Sequence, residues 1–154
     1  MITQKMKYAL KALLALADEA AKGAPEPLTI EEVAKRAGTP KRFLEHILLE
    51  VRNAGIISSI RGRSGGYVLV KQPSEISLSE LLRTIDGPIA PLPCLSRRAY
   101  ARCEDCTDEA TCRIRKVFAN MFWSYLVLID SLTLQDMLQS GKVAEQILGT
   151  PQTA

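Results

Sequence analysis

Apolar residues near the start of the chain recur at intervals of three and four. Met6, Ala9, Leu10, Leu13, Leu14 and Ala17 therefore share one face of a helix over residues 4 to 21. The pattern breaks at Gly23-Ala24-Pro25-Glu26-Pro27. Thr29-Ile30-Glu31-Glu32 then has the form of a capping box and predicts a short helix to Ala37, ended by Gly38. Thr39 is placed to cap the next helix, with Pro40 at its first position, where the missing N–H costs nothing. Phe43, Leu44, Ile47, Leu48 and Val51 give that helix its apolar face, and it runs to Asn53 before a stop at Gly55.

The period then shortens. Ile56-Ile57-Ser58-Ser59-Ile60 and Tyr67-Val68-Leu69-Val70 are β-prone runs flanking Arg61-Gly62-Arg63-Ser64-Gly65-Gly66, a hairpin signal. Ser77-Leu78-Ser79-Glu80 opens a further helix through Leu81, Leu82 and Ile85 to Asp86-Gly87. Pro88, Pro91 and Pro93 hold the following segment extended. A long helix is predicted from about Thr107, where Ile114, Phe118, Met121, Tyr125, Leu128 and Leu132 step by four and three in a heptad seam. Val117, Phe122, Leu126 and Ile129 read as a second apolar face beside it. A helix apolar on two faces is buried on two sides, here by its own domain and by the same helix of a second copy. Thr133 to Leu138 reads as a short closing helix, and the tail after Gly141 as loose.

Composition sharpens this mainly helical picture. The 154 residues are 47% hydrophobic and only 5% aromatic, which suits one helix-rich core. The net charge of +3 is unevenly placed: Lys35 to Lys71 holds eight basic and two acidic residues, a local +6, so the remainder is net acidic. Helix, tight turn, helix and glycine-tipped hairpin is the order of a winged helix-turn-helix, and its basic residues fall where DNA would lie. Thr39, Lys41, Arg42 and Glu45 open the second helix, which would enter the major groove of a double-stranded operator. Arg61, Arg63, Ser64 and Gly65 form the wing, with glycines allowing close approach to DNA and arginines meeting phosphates or a narrow minor groove. His46 reads as a groove-facing or simply exposed residue of the same helix.

Lys11, Asp18 and Glu19 interrupt the first apolar run, so it is no signal peptide. The uncharged stretch from Val117 to Ile129 is too short to span a bilayer. No membrane role is expected, and the expected compartment is the cytoplasm. There, four thiols spaced Cys94-x8-Cys103-x2-Cys106-x5-Cys112 suggest metal or redox chemistry. Arg97, Arg98, Arg102, Arg113 and Arg115 surround them and are expected to favour thiolate and offset an anionic cluster. Three readings stay open: an iron–sulfur cluster (2Fe-2S or 4Fe-4S), a structural zinc, or a metal-free thiol/disulfide switch. Cys103-Glu104-Asp105-Cys106 does not follow a strand in a βαβ unit, so an oxidoreductase is not expected.

Several stretches together resemble the Rrf2 family of bacterial transcription regulators, over nearly the whole chain to about Leu138. They are Lys7-Tyr8-Ala9-Leu10-Lys11-Ala12-Leu13, Phe43-Leu44-Glu45 and Ala54-Gly55-Ile56-Ile57. The most specific is Arg61-Gly62-x-x-Gly65-Gly66-Tyr67-x-Leu69, followed by Ile76-Ser77-Leu78 and the later cysteines. The resemblance implies a homodimeric winged-helix regulator, with repression the expected mode, that senses iron–sulfur status, nitric oxide, iron or cysteine supply. It implies cluster ligands at Cys94, Cys106 and Cys112. Arg115 stands where one cluster-binding member has a histidine ligand, and Lys7 where another borrows an aspartate from the partner subunit; neither can ligate, and Cys103 is the extra thiol available. The expected organisation is a DNA-binding domain over 1–87, a sensory loop over 88–106, a dimerisation helix and closing helix over 107–140, and a tail over 141–154. A dimer of this kind pairs with an imperfect palindrome.

Overall fold

In the computed structural model, which describes residues 2–140, the chain opens with α1 (Gln4–Ala20), capped by Thr3, whose hydroxyl accepts the Met6 N–H. Residues 141–154, expected to form a loose tail, lie outside these. Helix α2 (Ile30–Ala37) carries the complete capping box: Thr29 receives the Glu32 N–H while the Glu32 carboxylate takes the Thr29 N–H. Gly38 ends it in the left-handed conformation, φ +56°, which glycine adopts without a Cβ penalty.

Helix α3 (Lys41–Asn53) begins differently from expectation. Pro40 occupies the N-cap and contributes no side-chain hydrogen bond. Thr39 instead belongs to the end of α2: its N–H bonds the Ala34 carbonyl at 3.0 Å and its hydroxyl donates to the Ala37 carbonyl at 3.2 Å. The left-handed turn at Gly38 aims this residue inward, and it is only 4% exposed. Leu44, Ile47, Leu48 and Val51 are buried as the periodicity requires. Phe43 is not: it stays 42% exposed, its ring 5.7 Å from Tyr8 and 4.7 Å from the Arg42 guanidinium carbon.

The wing pairs β1 (Ile57–Ile60) with β2 (Gly66–Leu69) in antiparallel register, Ile57 opposite Leu69 and Ile60 opposite Gly66. Leu28 adds one more rung on the far side of β2, exchanging backbone hydrogen bonds with Tyr67 at 3.0 and 2.7 Å. Helix α4 (Leu78–Ile85) follows, with Ser77 as its cap. A long irregular segment leads to α5 (Arg113–Ser131) and the short α6 (Leu134–Leu138). The chain between α5 and α6 lies beside the segment before α4: the Leu78 N–H bonds Leu132, and the Leu134 N–H bonds Ile76, both at 2.9 Å. One apolar core joins Leu13, Leu44, Ile57, Leu81 and Leu134 with Phe122, Leu126 and Ile129 of α5.

Two expectations for α5 are corrected. The helix starts at Arg113 rather than near Thr107, because side chains claim the backbone that would extend it. Asp108 takes the Ala110 N–H at 3.0 Å, and Arg102 caps the carbonyls of Cys106 and Thr107 at 2.9 Å. Val117 does not share the buried face. Nine positions at about 100° each put it opposite Leu126, and it is 67% exposed.

Candidate nucleic-acid interface and cysteine loop

With Leu44, Ile47, Leu48 and Val51 turned into the core, Lys41, Arg42, Glu45 and His46 form the exposed side of α3. Leu49, 44% exposed, continues that side. Sequence reasoning passed over Leu49 because an apolar residue in an amphipathic helix counts first as core. Its position three beyond His46 and four beyond Glu45 is the signal that separates it from Leu48. Lys41 is engaged by Glu31 of α2, and that hydrogen-bonded carboxylate raises the lysine's pKa and lowers its own. Thr39 is withdrawn from the exposed set by its burial.

On the wing, Arg61, Arg63 and Ser64 are exposed, and neither arginine makes an ion pair among the described residues. The glycines behind them also serve the fold itself. A Cβ on Gly65 would lie 2.2 Å from the Ile60 carbonyl oxygen, and one on Gly66 would lie 2.5 Å from the Leu28 carbonyl. Both are required by the molecule's own backbone. Gly62, at φ +114° with open space around it, is the tip residue that turns the hairpin.

All four cysteines are free. Cys94 is buried in a single 3₁₀ turn, Pro93–Leu95, that joins the core; the others are half-buried. Cys112 is the N-cap of α5, not part of its first turns, and its sulfur accepts the Arg115 N–H at 3.4 Å. Burial pushes the Cys103 thiol up, and the hydrogen-bonded Cys94 thiol beside it adds to the rise. Burial also raises Cys106, with the nearby Cys112 and Cys94 sulfurs contributing. The expected effect of the arginines is therefore not met at these two thiols. Arg102 alone opposes the rise at Cys106, and it does not prevail. Three of the other arginines are committed elsewhere. Arg97 lies 4.3 Å over the Trp123 ring, Arg98 pairs with Glu80 at 2.9 Å, and Arg115 faces Glu109 at 3.8 Å.

The thiols thus gather at one end of α5 without forming a finished coordination shell. Among the described residues, no three His, Cys, Asp or Glu side chains stand close enough together to hold a metal ion. As a donor set, four soft sulfurs fit an iron–sulfur cluster or zinc; as placed, the loop would have to close around either.

Residues 2–140 match the Rrf2 family, described as iron-dependent transcriptional regulators. The chain belongs to the Rrf2 family. An rrf2-like helix-turn-helix regulator of Rhodobacter capsulatus is 72% identical over 148 residues, covering 96% of this chain and 99% of that protein. The structure of CymR, the global cysteine regulator of Bacillus subtilis, superposes with a TM-score of 0.71 at 28% identity, covering 91% of this chain and 97% of that one. The IscR structure from T. potens gives a TM-score of 0.68 at 25% identity, over 100% of this chain and 92% of that one. These relatives are named as transcriptional regulators, and this Rrf2 protein is a winged-helix DNA-binding regulator rather than an enzyme. No helix among its described residues is long and apolar enough to cross a membrane.

Proposed function

We propose that this Rrf2-family regulator binds a palindromic operator as a homodimer, as a repressor, and that an iron–sulfur cluster on Cys94, Cys103, Cys106 and Cys112 sets its affinity. One observation carries the reading: Cys112 caps the same helix that exposes an unpartnered apolar seam. Ile114, Phe118, Met121, Tyr125, Leu128 and Leu132 are all between 37 and 65% exposed. The seam borders a cavity of about 490 Å³ lined in part by Pro88, Ile89, Met121 and Tyr125, which a second copy of α5 would help close. A bound cluster would supply a dissociable, oxidisable cross-link between the loop and α5. The protein's own contacts would carry the change onward. Asp130 near the end of α5 meets Arg83 of α4 at 3.4 Å, and Leu132 is hydrogen-bonded to the segment that returns from the wing. A small change in α5 pairing would alter how two copies of α3 meet successive major-groove faces.

Anaerobic purification with a visible absorption spectrum and iron, sulfide and zinc analysis tests this. Iron and sulfide bound together, and lost on replacing Cys112 with Ser, support it; stoichiometric zinc without sulfide assigns the loop to structural zinc. The adjacency of Cys94 and Cys103 favours one second reading, a metal-free switch in which those thiols form a disulfide. A colourless protein whose operator affinity responds to peroxide and dithiothreitol supports that reading instead.

A further inference from the structure

Between α1 and the turn of the helix-turn-helix lies a groove of about 690 Å³, lined by Lys11, Leu14, Asp18, Lys35, Arg36 and Gly38. Its place relative to DNA follows from contacts along α1. Arg36, near the end of α2, pairs with Glu19. Gly38, in the turn, shares the groove with Leu14 and Lys11. Phe43, in the first turn of α3, meets Tyr8. The chain from α2 into α3 therefore runs back along α1 from residue 19 toward residue 8, and Lys11 stands beside it just before α3 begins. Arg36 is committed to Glu19, whereas Lys11 and Lys35 are exposed and have no ion pair or side-chain hydrogen bond among the described residues. Asp18 sits at the far end of the groove, about 10 Å along α1 from Lys11.

We propose that Lys11 and Lys35 clamp a backbone phosphate of the duplex whose major groove receives α3. This rests on the DNA-binding reading of the family. A recognition helix entering by its N-terminus brings the flanking phosphates up to the turn that precedes it, and contacts there fix its register without reading sequence. Two flexible ammonium groups suit that task, since each acts as a point charge with no base preference. Lys11 lies outside the basic 35–71 segment, so it adds α1 to the interface.

The test uses the full chain and a mixed-sequence duplex of about three helical turns, with affinity measured by fluorescence anisotropy across a salt series. Circular dichroism first establishes that Lys11→Gln, Lys35→Gln and the double variant unfold at the wild-type temperature. The double variant should bind more weakly, with the slope of log affinity against log salt reduced by about one per subunit. An unchanged slope in the double variant, while Arg61→Gln lowers it, overturns the clamp and leaves DNA binding intact. A wild-type chain that binds no duplex in any metal or redox state overturns both. If inorganic phosphate at constant ionic strength perturbs the Lys11 and Lys35 side-chain NMR signals while the duplex does not, the groove takes a free anion, and the duplex assignment is wrong.

Discussion

Helices α3 and α5 are both amphipathic, and they satisfy their apolar residues in opposite ways. In α3, Leu44, Ile47, Leu48 and Val51 are at most 2% exposed, and α1, α2, α4 and β1 pack around the helix. In α5, Phe122, Leu126 and Ile129 reach the same core, while a wider apolar arc from Phe118 round to Val117 faces outward. The apolar face of α3 is thus covered within one chain, and the outer face of α5 is left exposed. A face of that width next to a thiol-capped helix end is where a second copy and a signal can act on each other. In the proposed dimer, stability resides mainly in the first region and assembly in the second, and variants in the two should fail differently.

The largest expected effect is on assembly. Met121→Asp puts a charge in the middle of the α5 seam, where pairing would bury it without a partner at a cost of about 3–5 kcal/mol. Sedimentation should show monomers at concentrations where the wild type is dimeric, with the helical circular dichroism of the monomer retained. A wild type that is itself monomeric removes the contrast between the two helices. Leu44→Ala breaks the other side of the comparison. Its side chain is fully buried, so truncation should cost about 2–5 kcal/mol in urea unfolding. Leu128→Ala, at a position 65% exposed in one chain, should stay within about 0.5 kcal/mol once measured below the dimer's dissociation concentration.

The same contrast explains what was legible in the residue pattern. Elements whose partners lie nearby in sequence were placed within a residue or two: the capping box at Thr29 is local chemistry, as is the left-handed stop at Gly38. What failed depended on geometry between distant or curved segments. Thr39 has the residue type of an N-cap, but the preceding turn rotates it inward. Val117 shares an apolar character with Leu126, but not its side of the helix. A constraint added to the expected one, rather than a failure, lies at Gly65 and Gly66 on the basic wing, where only the folded backbone reveals the Ile60 and Leu28 carbonyls that they accommodate. The cysteines' spacing was readable as a donor set; the rise of the Cys103 and Cys106 thiols was not, because it comes from their burial in the folded loop, which Arg102 opposes only at Cys106.

The wing glycines give a prediction of intermediate size. Gly66→Ala places a methyl 2.5 Å from the Leu28 carbonyl, and the strand pair must shift to admit it. A loss of about 1–3 kcal/mol is expected, together with weaker DNA binding as Arg61 and Arg63 are displaced. If Gly66→Ala keeps full stability and affinity, the Leu28 rung is not what holds the wing.

Acid should weaken the DNA-reading half through Glu19. This carboxylate is 6% exposed, and the hydrogen bonds from Lys22 and then Arg36 hold its pKa at about 2 rather than the ordinary 4.5. A folded value below the unfolded one means that its contribution is fully present above pH 4.5 and is lost as the pH falls toward 2. Urea midpoints measured across that window should fall more steeply for the wild type than for Glu19→Gln. Parallel curves would mean that the two cations contribute nothing through this group.

The smallest expected effect concerns Lys41, whose ammonium is held by Glu31 on the neighbouring helix. The pair is exposed on both sides, so water and salt screen it, and it does little for stability. Its consequence is felt in binding, because a lysine that must leave a carboxylate to reach a phosphate gives back part of what it gains. Glu31→Gln removes that competition while keeping the size and the polar surface of the side chain. Affinity for a mixed-sequence duplex should rise roughly two- to fivefold, with the unfolding temperature unchanged. The rise should shrink as salt increases, since the same ions that screen the pair also compete for the phosphate. Lys41→Gln should cancel the gain in the double variant. If the gain survives without Lys41, the Glu31 charge acts on the duplex by repulsion alone, and α3 presents its first lysine unhindered.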